Sequence, residues 1–149
     1  MADRKKPLPG QIISGTHGYL WLDGDITYEV SKVELKIKTN RETVQFAGDM
    51  MEDSKLMSIS GTFSVTVRKV FSRAKKYVEQ IAAGKDPRST IITKLSDPDN
   101  GGIERIQVDN CWFDELTLAA FESGKICEDE LSGGFTGFKY LDTIEDPCK

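Results

Sequence analysis

Residues 30–69 read VSKVELKIKTNRETVQFAGDMMEDSKLMSISGTFSVTVRK, and this stretch decides the fold. In both halves, apolar residues alternate with polar ones, which is the period-two pattern of a strand with one buried face. A polar loop around residues 49–55 separates the halves, so the stretch predicts one long β-hairpin. Its apolar face comprises Val33, Leu35, Ile37, Phe63, Val65 and Val67, and its polar face comprises Glu34, Lys36, Lys38, Thr62, Ser64 and Thr66.

The predicted hairpin is too long for its own domain to cover. A chain of 149 residues cannot shield both faces and both edges of such strands, and exposed strand edges pair with other chains. If copies join edge to edge, the strands close into a barrel shared between subunits. We expect the apolar face to pack outward against the rest of the domain, and in contacts between subunits, while the polar face lines a wet lumen.

One helix is predicted directly after the hairpin. Apolar residues recur there at helical spacing, and Gly84 followed by Pro87 marks its end. The outward face is basic and carries Arg73 and Lys76, which suits either a solvated helix face or an electrostatic docking surface for a protein partner. The predicted buried face comprises Phe71, Ala74, Tyr77, Val78 and Ile81.

The rest of the chain is predicted to form shorter strands. A strand at residues 19–22 ends at the Asp23-Gly24 turn, and an Ile- and Thr-rich strand covers residues 89–95. We expect a second hairpin-like pair at residues 103–113 and 116–121, and a last strand at residues 126–140 with a glycine bulge. The fold class is therefore mainly β, an antiparallel β-sandwich or barrel with one flanking α-helix.

The length suits one globular domain. Residues 1–11 are basic, contain Pro7, Pro9 and Gly10, and predict a flexible arm. We expect residues 12–141 to form the single domain and residues 142–149 to form a polar C-terminal tail.

Composition excludes several classes of protein. The net charge of −4 and the pI of about 5.1 do not suit a nucleic-acid binder, although they are compatible with a conduit for DNA. No apolar run approaches the roughly 20 residues of a membrane helix, and no apolar segment of a signal peptide follows the basic start. We therefore expect a cytosol-like compartment without stable membrane association. The three widely spaced cysteines predict reduced thiols.

Catalytic motifs are sparse. His17 is the only histidine, and it lies in a predicted turn rather than in a nucleophile–base pair. The segment from Asp97 starts like a calcium loop, but Val108 stands at the twelfth position, where that loop needs a carboxylate. Residues 133–137 are glycine-rich without the strand-then-helix context of a phosphate loop. We expect no enzyme, no cofactor, no metal and no small-molecule substrate.

The sequence also resembles a known family, the tail tube (core tail) proteins of PBSX-like prophages, contractile phage tails and phage-tail-like bacteriocins. The resemblance extends over residues 12–140. It rests on short stretches in a fixed order: Ile13-Ser14-Gly15 with Gly18, then Leu20, Leu22, Asp23 and Gly24, Gly61-Thr62, Gly84-Lys85-Asp86-Pro87, Glu104-Arg105-Ile106 with Phe113-Asp114, and Phe135 with Phe138.

The resemblance implies a structural subunit. Members of this family would form hexameric rings that stack into a hollow tube, whose inner barrel includes the long hairpin. The tube would conduct DNA transiently or pierce a membrane, within a virion tail or tail-like particle assembled in the bacterial cytoplasm. A sheath, a baseplate and a tail terminator would be its partners, and the helix bearing Arg73 and Lys76 would be a candidate sheath-facing surface. Two alternatives from other classes are a monomeric β-barrel that binds a small ligand or carbohydrate, and an enzyme of unrecognised type.

Overall fold

The computed structural model describes residues 3–149, and antiparallel strands dominate it. Short 3-10 turns at Pro9–Gln11 and Gly15–His17 precede the first strand. The strands are β1 (Gly18–Leu22), β2 (Asp25–Ile26), β3 (Val30–Val44), β4 (Asp53–Arg68), β5 (Ser89–Leu95), β6 (Glu104–Leu116), β7 (Glu128–Phe135) and β8 (Gly137–Asp142), and the helix α1 spans Lys75–Ala82.

The strands form one sheet in the order β2-β1-β5-β6-β7-β4-β3, with β8 also beside β6. The first half of β6 pairs with β5 and β8, whereas its second half pairs with β7. Asn110 adopts a positive φ of 57° where β6 passes from one set of partners to the other. The sheet therefore folds over on itself, and β6 belongs to both layers.

The core fills the space between these two layers. Leu20 from β1 and Ile91 from β5 contribute from one side, and Val65 from β4 and Leu131 from β7 from the other. All four side chains are at most 2% exposed. The prediction of a mainly antiparallel β fold with one helix is confirmed, with one correction: among the described residues β2 and β3 remain separate ends of the sheet, so the protomer is an open sandwich and not a closed barrel.

The long hairpin is present. β3 and β4 stay in register from Val30 opposite Val67 to Val44 opposite Asp53, with irregularities near Ser31 and Asn40. The alternation of apolar and polar residues explains this, because each strand can bury one face only in a single register. β7 pairs with β4 only from Gly61 onward. Hence the distal half of the hairpin is a two-stranded ribbon without a third strand beside it.

Two expected elements differ in the structure. The helix is shorter than its apolar period suggested, because the chain forms turns before Lys75, and Phe71 is 55% exposed and Ile81 42% exposed. The predicted strand at residues 116–121 is wrong. β6 runs without a turn to Leu116, where Leu131 of β7 is its partner, and the apolar residues that follow lie in an exposed loop.

Glycines in β7 and in the neighbouring strand β4 allow aromatic rings to pack closely against the backbone, rather than forming a simple bulge. A Cβ added at Gly134 would meet the Trp112 ring, and one added at Gly61 would meet the Phe135 ring. The interruption predicted for this region lies at Thr136, where the chain passes from β7 to β8. Large rings thus lie directly over bare backbone at the junction of the two layers.

Candidate assembly surface

The polar face of the hairpin is continuous across both strands. Glu34 lies opposite Ser64, and Lys36 lies opposite Thr62. The structure thus brings the predicted lumen residues together on one face of the sheet: Glu34, Lys36, Lys38, Thr62, Ser64 and Thr66. Their role in lining a lumen stays a prediction.

Charges of both signs alternate on this face. The Glu34 carboxylate lies 3.4 Å from the Lys32 ammonium and 3.5 Å from that of Lys36. The hydrogen bond and charge of Lys32, followed by the charge of Lys36, lower the pKa of Glu34. The Ser64 hydroxyl donates to Glu130 at 3.3 Å. A surface of paired charges and hydroxyls stays hydrated and offers no apolar patch to a passing polymer.

The opposite face changes character along its length. Phe63, Val65 and Val67 are at most 3% exposed and belong to the core, and Val33 and Leu35 pack against it while partly buried. Ile37 is 44% exposed, because the core ends at Gly61, the residue of β4 that pairs with Ile37. Beyond this point the apolar side chains have no covering layer within the described protomer. A role between subunits for the predicted packing residues stays a prediction.

The outer edge of β3 is free. Within residues 3–149 no strand pairs with it, and it is 15 residues long. Free backbone groups along such an edge readily accept another strand. A two-stranded ribbon is also marginal in water by itself, so both the edge and the distal half favour assembly with other copies.

The loop at the tip of the hairpin (residues 45–52, hereafter the tip loop) exposes apolar side chains. Phe46 is 71%, Met50 95% and Met51 84% exposed. The sequence predicts a polar loop interrupted by Met50 and Met51, but it does not indicate that Phe46 is exposed beside them. The available signal was a pair of methionines that no strand or helix period could bury.

The segment between the base of the hairpin and the first turn of α1 (residues 68–76, hereafter the basic segment) has a comparable character. Val70 is 74% exposed and Phe71 55%. A recess of about 370 Å³ beside the Phe71 ring is lined by residues that include Leu22, Lys75 and Tyr77. Its location at the hairpin base places it at the opposite end from the tip loop.

The two predicted sheath-facing residues have different environments. The Arg73 guanidinium is only 11% exposed and forms an ion pair with Glu29, at 19% exposure. Burial is the largest influence on Arg73 and lowers its pKa. Lys76 is exposed, and its ammonium lies 4.8 Å from the centre of the Tyr77 ring. Arg73 is therefore engaged inside the protomer, whereas Lys76 is available on the surface.

A second ion pair lies beside the basic segment. Asp129 is only 3% exposed and receives the Lys69 ammonium at 3.5 Å from Oδ2. Its Oδ1 has no hydrogen-bond partner among the described residues. Lys69 thus neutralises a buried carboxylate and is not a free docking cation.

α1 is fixed to the sheet by its tyrosine. The Tyr77 hydroxyl donates to Asp23 at 2.7 Å, and the Ser89 hydroxyl donates to the same carboxylate at 3.0 Å. Burial, followed by the Asp23 carboxylate, raises the pKa of Tyr77 well above its usual range. The helix is thereby held next to the Asp23–Gly24 turn with its basic side outward.

His17 and Asp97 lie beside each other, just before β1 and just after β5. Asp97 accepts backbone N–H bonds from Ser14 and Asp99, which lower the pKa of its carboxyl. The His17 Nε2 atom lies 4.0 Å from the same carboxylate. Within the described residues, no group of three or more His, Cys, Asp or Glu side chains is arranged to hold a metal ion. The described part of the chain contains no helix long and apolar enough to span a bilayer.

Two curated proteins of Bacillus subtilis (strain 168) are similar to this chain. The phage-like element PBSX protein XkdM is 28% identical over 137 residues, covering 90% of this chain and 93% of the relative. The uncharacterized protein YqbM is 29% identical over 129 residues, covering 85% and 88%.

Solved structures share the fold at low sequence identity. The tube-terminating cap of the anti-feeding prophage has a TM-score of 0.74 at 10% identity, covering 95% of this chain and 97% of that one. A chain of the sheath–tube complex of PVC, an extracellular contractile injection system, has a TM-score of 0.70 at 11% identity, covering 93% and 100%. The SPP1 tail tube has a TM-score of 0.61 at 12% identity, covering 90% and 81%.

The family resemblance inferred from the sequence is confirmed by a family-level match. The family model described as "Phage tail tube protein" matches residues 8–142, which is most of the chain. An open sandwich with a long hairpin and a free edge agrees with a structural role. The chain belongs to the phage tail tube protein family.

Proposed function

We propose that this chain is the repeating subunit of a contractile-type tail tube and forms hexameric rings that stack into a hollow conduit. The observation that carries the proposal is the free 15-residue edge of β3 beside an unsupported distal ribbon. Joining copies at this edge satisfies its backbone groups and closes a barrel. The structural likeness to a chain from a sheath–tube complex supports the contractile type.

The polar face of the hairpin lines the lumen in this proposal. Glu34, Lys36 and Thr62 would then face the channel, and the apolar face would be turned away from it. Mixed charge and hydroxyl groups suit the transient, non-specific passage of DNA in a phage or of water in a membrane-piercing particle. Neither use requires a cofactor, a small-molecule substrate or an enzymatic step.

The wider particle supplies the partners. A sheath around the tube, a baseplate at one end and a terminator at the other are proposed from the structural neighbours, whose descriptions name sheath–tube, baseplate and terminator components. The tube would be assembled in the bacterial cytoplasm and reside in the tail of the particle. We also propose that residues 12–141 form the tube domain, with residues 1–11 and 142–149 as an arm and a tail.

Electron microscopy tests the proposed function directly. Purified full-length chain, concentrated and negatively stained, should form six-fold rings or hollow tubes. A protein that remains monomeric at high concentration under every ionic condition would falsify the proposal, because the free edge of β3 would then have no partner. Rings of another symmetry would contradict the hexamer alone.

Reversing the charge of Lys76 should weaken the attachment of the sheath. Lys76 is exposed on α1, and a rim charge at a protein interface controls association more than folding. We expect Lys76→Glu tubes to bind sheath about fivefold more weakly in co-sedimentation, measured per mass of assembled tube. Lys85→Glu, beyond the other end of α1, is the matched control, and sheath binding equal to wild type in both variants would exclude a role for the helix.

A further inference from the structure

The tip loop combines exposed apolar side chains with one sign of charge. Met50 and Met51 are the most exposed large hydrophobic residues of the hairpin, at 95% and 84%. Residues 42–54 contain four acidic residues and no basic one: Glu42, Asp49, Glu52 and Asp53.

The basic segment has the complementary character. Residues 68–76 contain five basic residues and no acidic one: Arg68, Lys69, Arg73, Lys75 and Lys76. Lys69 and Arg73 are engaged with Asp129 and Glu29. Three cations remain on the surface, of which Lys75 lies 4.0 Å from the exposed Glu79. The recess of about 370 Å³ beside Phe71 is lined by Lys75 and Lys76 and also by Asp25 and Glu79, and Val70, next to Phe71 in the chain, is exposed.

These two surfaces cannot meet within one protomer. The tip loop begins directly after Val44, at one end of β3. The basic segment begins directly after Val67, which pairs with Val30 at the other end of β3. β3 has 15 residues, and at roughly 3.3 Å per residue its ends lie about 45 Å apart. Contact between them therefore requires two copies of the chain placed one beyond the other along the hairpin.

We infer that the tip loop of one copy docks on the basic segment of a copy in the next ring. This inference rests on the proposed function and adds which residues join successive rings. Met50 or Met51 enters the recess beside Phe71, where the flexible thioether adapts to an irregular apolar surface and contacts the ring. Around this recess, the carboxylates of Asp49 and Glu52 face Arg68 and Lys75.

The geometry of this contact accounts for an open-ended stack. Each copy presents a tip at one end and a base at the other, so the contact is heterologous and leaves an unused surface on each terminal ring. The growing tube therefore has direction, with acidic apolar loops exposed at one end and basic recesses at the other. Because the charges of the tip-to-base contact lie at a solvent-accessible rim, stacking should weaken as the salt concentration rises.

Two charge reversals test the contact. In Glu52→Lys and in Lys75→Glu, rings should form but stack poorly, with the critical concentration for tubes raised about tenfold or more, because every subunit of a ring meets a like charge. Mixing the two preformed ring variants in equal amounts should restore tubes. Each tip then meets a base of opposite charge, either between two altered partners or between two unaltered ones.

The outcomes separate this inference from the proposed function. The tip-to-base contact would be overturned if both variants formed tubes at the wild-type concentration. It would also be overturned if neither variant formed tubes and their mixture formed none. In both cases, rings would still support the proposed tube subunit. A wild-type chain without rings or tubes would overturn both. Lys85→Glu is the control for a general charge effect and should polymerise like wild type, and Met50→Ser with Met51→Ser should raise the critical concentration without changing salt dependence.

Discussion

Replacing Gly133 by alanine should destabilise the fold more than any other single-methyl addition in the sheet. A Cβ at this position would lie 1.8 Å from the Trp112 carbonyl oxygen and 3.0 Å from the Phe113 Cα. Both are backbone atoms of the paired strand β6 and cannot rotate away. Overpacking in a core costs about 1–3 kcal/mol where side chains can adjust, so we expect at least about 3 kcal/mol here, measured by urea unfolding followed through tryptophan fluorescence.

Gly137→Ala is the matched control for this variant. Gly137 also pairs with β6, but a Cβ there would lie 3.4 Å from the Asp109 Cβ, an ordinary contact. Its unfolding midpoint should change little. Equal unfolding midpoints for the two variants would show that β7 can shift away from β6, and that the close approach at Gly133 is not required.

Removing the charge of Lys69 should also destabilise the protomer strongly. Lys69→Met leaves the Asp129 carboxylate, 3% exposed, without its counter-ion. Breaking a buried ion pair costs about 3–5 kcal/mol. We expect about 3 kcal/mol, at the lower end, because the Lys69 side chain is itself 31% exposed and water can reach the site.

A second substitution distinguishes the charge from the packing. Lys69→Met combined with Asp129→Leu should recover most of the lost stability, since an apolar pair of similar volume avoids the desolvation of both charges. Lys75→Met, at an exposed lysine 4.0 Å from Glu79, should stay within about 0.5 kcal/mol of wild type. A double variant as unstable as the single one would mean that the Lys69 stem, not its charge, stabilises the base of the hairpin.

The hairpin could be predicted from the sequence because its signal is local. Strict alternation over both strands fixes which side chains share a face, and Val65 and Leu35 followed it in the structure. The turn at Asp23–Gly24 and the end of the helix near Gly84 also lie about where the sequence predicts them. Local pattern was sufficient wherever one face of an element had to be buried.

Long-range partners explain what the sequence could not reveal. The helical spacing places Arg73 on a basic outward face, whereas its partner Glu29 lies 44 residues earlier in the chain. Gly133 suggested a bulge, whereas its real constraint is the backbone of Trp112. The apolar residues after Leu116 lacked any strand to pair with. In the first two cases the deciding contact joins segments that no local pattern relates.

The division of the hairpin into a supported half and a free ribbon has an evolutionary consequence. Residues from Gly61 to Arg68 are constrained by the folding of the protomer, since β7 and the core lie against them. Selection can act on residues 53–60 mainly through fit to other copies. One strand thus holds two sets of positions that can diverge at separate rates, so related particles can change the partners of the ribbon while the domain beneath it stays the same.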